Sequence, residues 1–222
     1  MSVGDPNYWR KRFRSLDVRL LQCIASIWPT CLSVLPSQPL EDSITFNLVE
    51  ILKKNREARR LFYWIQFHFE PPGYSASGAA YSKGKIDMAV FLDQDGEKYL
   101  AYECKRLNVV NKGSRESLAT KYVKDGVKRF VTEQYAEHLP TGAMLGYVMD
   151  GDISFAQSKV QAALDANQEE VNMISGPTPA DPIAIIRRFR TRHRKETVAH
   201  NIEIHYGLLP LTTLKSYKKV AE

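Results

Sequence analysis

The chain has 222 residues, 44% hydrophobic and 25% charged, with a net charge of +6, which fits one soluble globular domain with a substantial core. No apolar run approaches the ~20 residues that cross a bilayer, and the N-terminus lacks the apolar stretch of a secretory signal, so neither a membrane span nor a signal peptide is expected. Three cysteines, Cys23, Cys31 and Cys104, have no metal-ligand spacing and leave one without a partner, so a reducing cytoplasm is the expected setting.

In chain order, Trp9, Phe13, Leu16, Leu20, Ile24 and Ile27 recur at helical spacing over 8–27. Pro29, Pro36 and Pro39 are expected to break the chain into a linker. Residues 1–39 then form an N-terminal helical extension ahead of a domain over 40–222. Ile44, Leu48, Ile51 and Leu52 predict a helix over 40–54. Leu61 to Phe69 is aromatic and β-prone, a strand stopped by Pro71 and Pro72. Gly73 to Gly84, rich in Gly, Ser and Ala, reads as a flexible loop.

Two strands follow, near 85–92 and 97–106. A long helix over 114–138 turns Leu118, Tyr122, Gly126, Phe130 and Val131 to the sheet, with Gly126 allowing close helix–sheet approach. Then come an apolar strand at 144–149, a helix at 153–173, a Pro-rich connector at 176–182, and strands near 183–192 and 201–209. The order α-β-β-β-α-β, with strands apolar on both faces, predicts an α/β fold with a mixed central sheet flanked by helices.

Charge is concentrated. The stretch Arg187 to Lys195 holds six Lys or Arg and no acid, and without it the remaining bases equal the 25 acids. As a strand, this segment projects Arg188, Arg190, Arg192 and Arg194 to one face. A second basic cluster runs from Arg10 to Arg14. Both suggest a polyanionic partner, with nucleic acid first.

The most informative residues are Asp87, Glu103 and Lys105. A three-residue loop, Gln94-Asp95-Gly96, pairs Phe91 with Tyr99, Ala89 with Ala101 and Asp87 with Glu103. Strand alternation puts Glu103 and Lys105 on one face and turns Cys104 to the other. Directly opposed carboxylates repel unless a cation intervenes. Mg²⁺, a hard ion that favours oxygen ligands, fits, with Mn²⁺ able to substitute. Such an ion lowers the pKa of bound water and orients a scissile phosphate, while Lys105 offers charge to the transition state.

With Ile86-Asp87, Glu103-Cys104-Lys105 and that element order across roughly 40–150, the chain resembles the PD-(D/E)XK nuclease superfamily, the restriction-endonuclease-like fold. Ile86 stands where the motif has proline. The resemblance implies a magnesium-dependent nuclease acting on DNA in genome defence or restriction. It also implies an acid on the first core helix that completes the metal site. Glu41 matches best, with Asp42 and Glu50 as rivals. The plainer view of Glu41 and Asp42 is favourable charge at a helix N-terminus.

Five histidines, His68, His138, His193, His200 and His205, show no ligand spacing, which argues against a zinc site. Lys121 and Lys124 are candidate phosphate contacts or solvated helix charges. No helix-turn-helix or zinc finger supplies sequence recognition, so specificity falls to DNA structure, chain ends or a protein partner, and a homodimer fits as well. The alternative is a non-catalytic nucleic-acid-binding module, or a partner-dependent subunit, that keeps the nuclease fold.

Overall fold

The apolar stripe that begins at Trp9 does not stop at Pro29. Helix α1 spans Pro6–Val34 with this proline inside it. An interior proline costs ~3 kcal/mol, but Trp28 and Cys31 lie buried beside it, and a large buried side chain contributes ~1.5–3 kcal/mol. The expected break therefore moves to Pro36 and Pro39, after which α2 (Glu41–Lys54) begins. The computed structural model describes residues 6–197 and 200–211. Residues 1–5 and 212–222, at the outer ends of the two expected segments, lie outside the described residues.

The strands are β1 (Trp64–Phe69), β2 (Pro72–Tyr74), β3 (Ala80–Ser82), β4 (Ile86–Phe91), β5 (Tyr99–Leu107), β6 (Val109–Asn111) and β7 (Ser114–Glu116). A broken helix follows: α3 (Ala119–Lys121), a π-helical stretch Tyr122–Val127, and α4 (Lys128–Val131). Then come β8 (Thr141–Val148), α5 (Ile153–Ala166), β9 (Met173–Ile183), β10 (Ile186–Arg194) and β11 (Asn201–Pro210). One mixed seven-stranded sheet has the order β1-β4-β5-β8-β11-β10-β9. β5, β8 and β11 run parallel, and the other neighbouring pairs are antiparallel. Every residue of the central strand β8 is buried, as expected of a strand covered on both faces.

Four segments differ from the sequence expectation. Residues 73–84 are not a loop throughout, because Pro72–Tyr74 pairs with Ala80–Ser82 across a turn held by Ser75. The helix expected over 114–138 is confined to 119–131. Leu118 precedes it with φ 55°, and Glu133 and Ala136 follow it with φ 61° and 53°. That turned backbone gives the carbonyls of Ala136, Glu137 and Leu139 to the buried Lys195 ammonium. The α5 helix ends at Ala166 rather than 173. The expected connector 176–182 is strand β9, which sits at the sheet edge and pairs only with β10. An edge strand tolerates proline because an N–H facing away from the sheet is not needed.

Helix α1 is built into the core. The Trp28 indole N–H donates to Pro210 O at 2.7 Å, and its ring stacks on Tyr147. Asp17, 1% exposed, accepts from Tyr102 of β5 at 2.7 Å and pairs with Arg188 of β10 and His205 of β11, each at 3.2 Å. The other imidazole nitrogen of His205 meets Glu203 at 2.8 Å, and Arg14 grips both oxygens of that acid. No helix among the described residues is long and apolar enough to cross a membrane.

Candidate functional site

Strands β4 and β5 pair in the expected register: Phe91 faces Tyr99, Ala89 faces Ala101, and Met88 faces Tyr102. The ladder stops there. One residue on, where Asp87 would face Glu103, the backbone N–H of Cys104 donates to Asp87 Oδ2 at 2.8 Å instead of to a β4 carbonyl. Two residues further, Arg106 N–H donates to Glu41 Oε2 at 2.8 Å. Thus β5 runs beyond its partner, and two carboxylates take the amides that the missing strand would have paired.

Lys105 stands in that gap. Its ammonium is 2.8 Å from Glu103 Oε1, 3.0 Å from Glu41 Oε1 and 3.6 Å from Asp87 Oδ2. Residues from α2, β4 and β5 therefore converge on one nitrogen. Asp87 and Glu103 both lie against this one ammonium, and Cys104 turns away to the side of Thr45 and Tyr147. Glu50 is excluded by distance: it lies nine residues along α2 from Glu41, about 13 Å at 1.5 Å per residue, and pairs with Lys53.

The broken helix that covers the Glu103 side of the sheet adds a group that sequence reasoning did not single out. The Arg129 guanidinium donates to Glu103 Oε1 at 2.8 Å and to the Tyr135 hydroxyl at 2.7 Å. Gly126, one turn earlier in the π-helical stretch, makes this approach possible: a Cβ there would meet the Met144 methyl at 2.5 Å and Glu103 Cγ at 3.6 Å. The expected close packing at Gly126 is thus present, and it presses the helix onto the acid. The signal lay in the arginine three residues after that glycine, beside the apolar Phe130.

Burial pushes the Glu103 carboxyl up to about 7, Asp87 adds to this, and Lys105 and Arg129 oppose it. Burial works against the Lys105 ammonium, but Glu103, Asp87 and Glu41 outweigh it and raise its pKa. Three carboxylates face the Lys105 and Arg129 cations here, and a further one, Asp42, lies beside Asp87. Glu103 Oε2 is buried and has no hydrogen-bond partner among the described residues. A surplus of carboxylate charge and an orphaned buried oxygen fit a hard divalent cation.

The arginine row is less uniform than its spacing suggests. Arg188 is buried and paired with Asp17, so it is unavailable to a phosphate. Arg190 is half-buried, whereas Arg192 and Arg194 are exposed. Lys195, at the end of the same basic run, is 2% exposed, and burial lowers its pKa to about 8 against the pull of Glu133 and Glu137. Lys124 pairs with Glu170 at 2.9 Å. Comparisons with protein-family models, curated proteins and solved structures give no match to this chain.

Proposed function

We propose that this chain is a divalent-metal-dependent nuclease of restriction-endonuclease-like type that hydrolyses DNA phosphodiester bonds. The observation that carries this reading is the convergence of Glu41, Asp87 and Glu103, from three elements, on Lys105 at the uncovered end of β5. When bound, a cation such as Mg²⁺ or Mn²⁺ would lower the pKa of its water and polarise the phosphate. Asp87 and the free oxygen of Glu103 are the groups that would hold it. Arg129 fixes the Glu103 carboxylate by taking its other oxygen. Glu41 assists by holding both the Lys105 ammonium and the β5 backbone. Lys105 then places positive charge where the transition state accumulates negative charge. The reading includes a reducing, cytoplasmic setting, in keeping with three free thiols of which Cys31 and Cys104 are buried. It also includes a role in genome defence.

A second reading is a nucleic-acid-binding module or partner-dependent subunit that does not cut. It draws on one feature, the Lys105 ammonium already lying against all three acids as an internal counter-charge. Incubation with linear, circular and single-stranded DNA, each with Mg²⁺, Mn²⁺ or a chelator, separates the two. Metal-dependent cleavage supports the nuclease, and binding without cleavage under every condition supports the module.

The exposed basic row gives its own expectation. Each phosphate neutralised contributes about −0.9 to the slope of log affinity against log salt. Replacing Arg190, Arg192 and Arg194 by alanine should flatten the slope by ~2–3 and weaken binding to all sequences alike. Arg188→Ala should instead lower the melting temperature. An unaltered slope in a DNA titration of the triple variant would mean that the row is a solvated face.

A further inference from the structure

Asp42, His68 and Asp87 come from the first turn of α2, from β1 and from β4, and one ligand atom of each lies within 4.8 Å of the others. In the β1/β4 register Phe67 faces Met88 and Phe69 faces Ile86, which sets His68 directly opposite Asp87. The ladder is interrupted only at that position, where His68 adopts φ 54°. This left-handed conformation is unfavourable for a non-glycine residue and persists where surrounding structure enforces it. The His68 Nε2 atom is buried and has no hydrogen-bond partner among the described residues, although Asp42 Oδ1 lies 3.5 Å away. A strained backbone and an orphaned buried nitrogen thus coincide at one residue, facing two carboxylates.

We infer that Asp42, His68 and Asp87 form a binding position for a divalent transition-metal ion, and that Asp42, not Glu41, is the metal ligand supplied by the first core helix. Both oxygens of Glu41 are committed, one to Lys105 and the other to Arg106 N–H. The contacts of Asp87 with Cys104 N–H and Lys105 both fall on Oδ2. Among the described residues Asp42 has no comparable commitment beyond His68, and its side chain is 62% exposed. An imidazole nitrogen beside carboxylates favours Mn²⁺ or Co²⁺ over Mg²⁺, which prefers oxygen ligands and retains its waters. Ligand atoms about one such ion at ~2.1 Å lie about 3–4 Å apart, so only a small closure is required. This inference rests on the proposed nuclease site through the shared Asp87 alone.

The test is a Mn²⁺ titration of the full-length, metal-stripped protein, read by calorimetry and by pulsed EPR for nitrogen coupling to the bound ion. Wild type should bind Mn²⁺ at least ~10-fold more tightly than Mg²⁺ and show coupling to an imidazole nitrogen. His68→Gln should erase that coupling and weaken Mn²⁺ binding by ~10-fold or more. Asp42→Asn, at an exposed position where folding is not at stake, should weaken it comparably, and Glu41→Gln should change it less than ~3-fold. Absence of nitrogen coupling in wild type, its persistence in His68→Gln, or a larger loss from Glu41→Gln than from Asp42→Asn would overturn the inference. The two readings fail separately. Nitrogen-coupled Mn²⁺ without any DNA cleavage upholds this site and removes the nuclease. Cleavage by a protein whose bound Mn²⁺ has no nitrogen ligand does the reverse.

Discussion

Lys105→Ala is expected to slow metal-dependent DNA cleavage by ~10²–10³-fold, or about 3–4 kcal/mol of transition-state stabilisation. The same variant should bind Mg²⁺ or Mn²⁺ at least as tightly as wild type. Lys105 lies within 3.6 Å of Glu41, Asp87 and Glu103, so removing it takes away a cation that competes for those carboxylates. A purely structural lysine would behave differently. Its loss would lower the melting temperature, and added metal would restore both stability and activity by replacing the missing charge. Single-turnover cleavage rates beside metal titrations separate these outcomes. A rate close to that of wild type, or a loss of metal binding, counts against the proposed role.

The second large effect concerns folding. Asp17→Asn should destabilise the protein by ~3–5 kcal/mol, because it leaves Arg188 buried without its counter-charge and His205 with Glu203 alone. At this chain length that corresponds to a fall of roughly 6–20 °C in Tm. The network also sets a pH dependence. Burial opposes protonation of His205, but its bonds and charge interactions with Asp17 and Glu203 win, and its folded pKa is raised. Its contribution is therefore complete below the unfolded value of ~6.5 and fades as pH climbs through the raised one. Burial works against ionised Asp17 and Glu203 too, yet His205 with Tyr102 and Arg188, and His205 with Arg14, lower them, Glu203 to about 2. Their contributions are present above ~4.5 and vanish as pH falls toward 2. The contribution of this network should therefore be greatest between about pH 4.5 and 6.5, while His193, which burial lowers to about 4, makes stability rise over the same range. The decline above that range should be shallower in Asp17→Asn. Urea unfolding across pH 4–9 measures this. An unchanged alkaline slope in the variant would show that His205 does not draw its proton from this contact.

What the sequence disclosed was local. The Gln94-Asp95-Gly96 loop and the alternation around it were enough to read the β4/β5 register and so to bring Asp87 and Glu103 together. The α-β-β-β-α-β order was legible because each element carries its own period. The segments that were misread are those where a distant partner decides. Lys195 bends the backbone after α4 from some 60 positions away, and β10 recruits a proline-rich segment as its edge strand. His68 escaped notice for the same reason. Its relation to Asp87 is a cross-strand one, and spacing along the chain contains no trace of it. Arg188 was misjudged because an arginine in a basic run looks exposed until its partner on α1 is known. Asp17 gave little warning, being a single acid on an otherwise apolar helix face.

The most direct measurement compares DNA cleavage by wild type and Asp87→Asn in Mg²⁺, in Mn²⁺ and in excess chelator. Asp87 is common to the Lys105 cluster and to the His68 and Asp42 group, and asparagine keeps its size while removing its charge. Wild type should cut with either metal and stop in chelator, and Asp87→Asn should not cut under any of the three conditions while retaining its fold. Cleavage by wild type in chelator, or full metal-dependent cleavage by Asp87→Asn, would contradict the proposed metal-dependent nuclease.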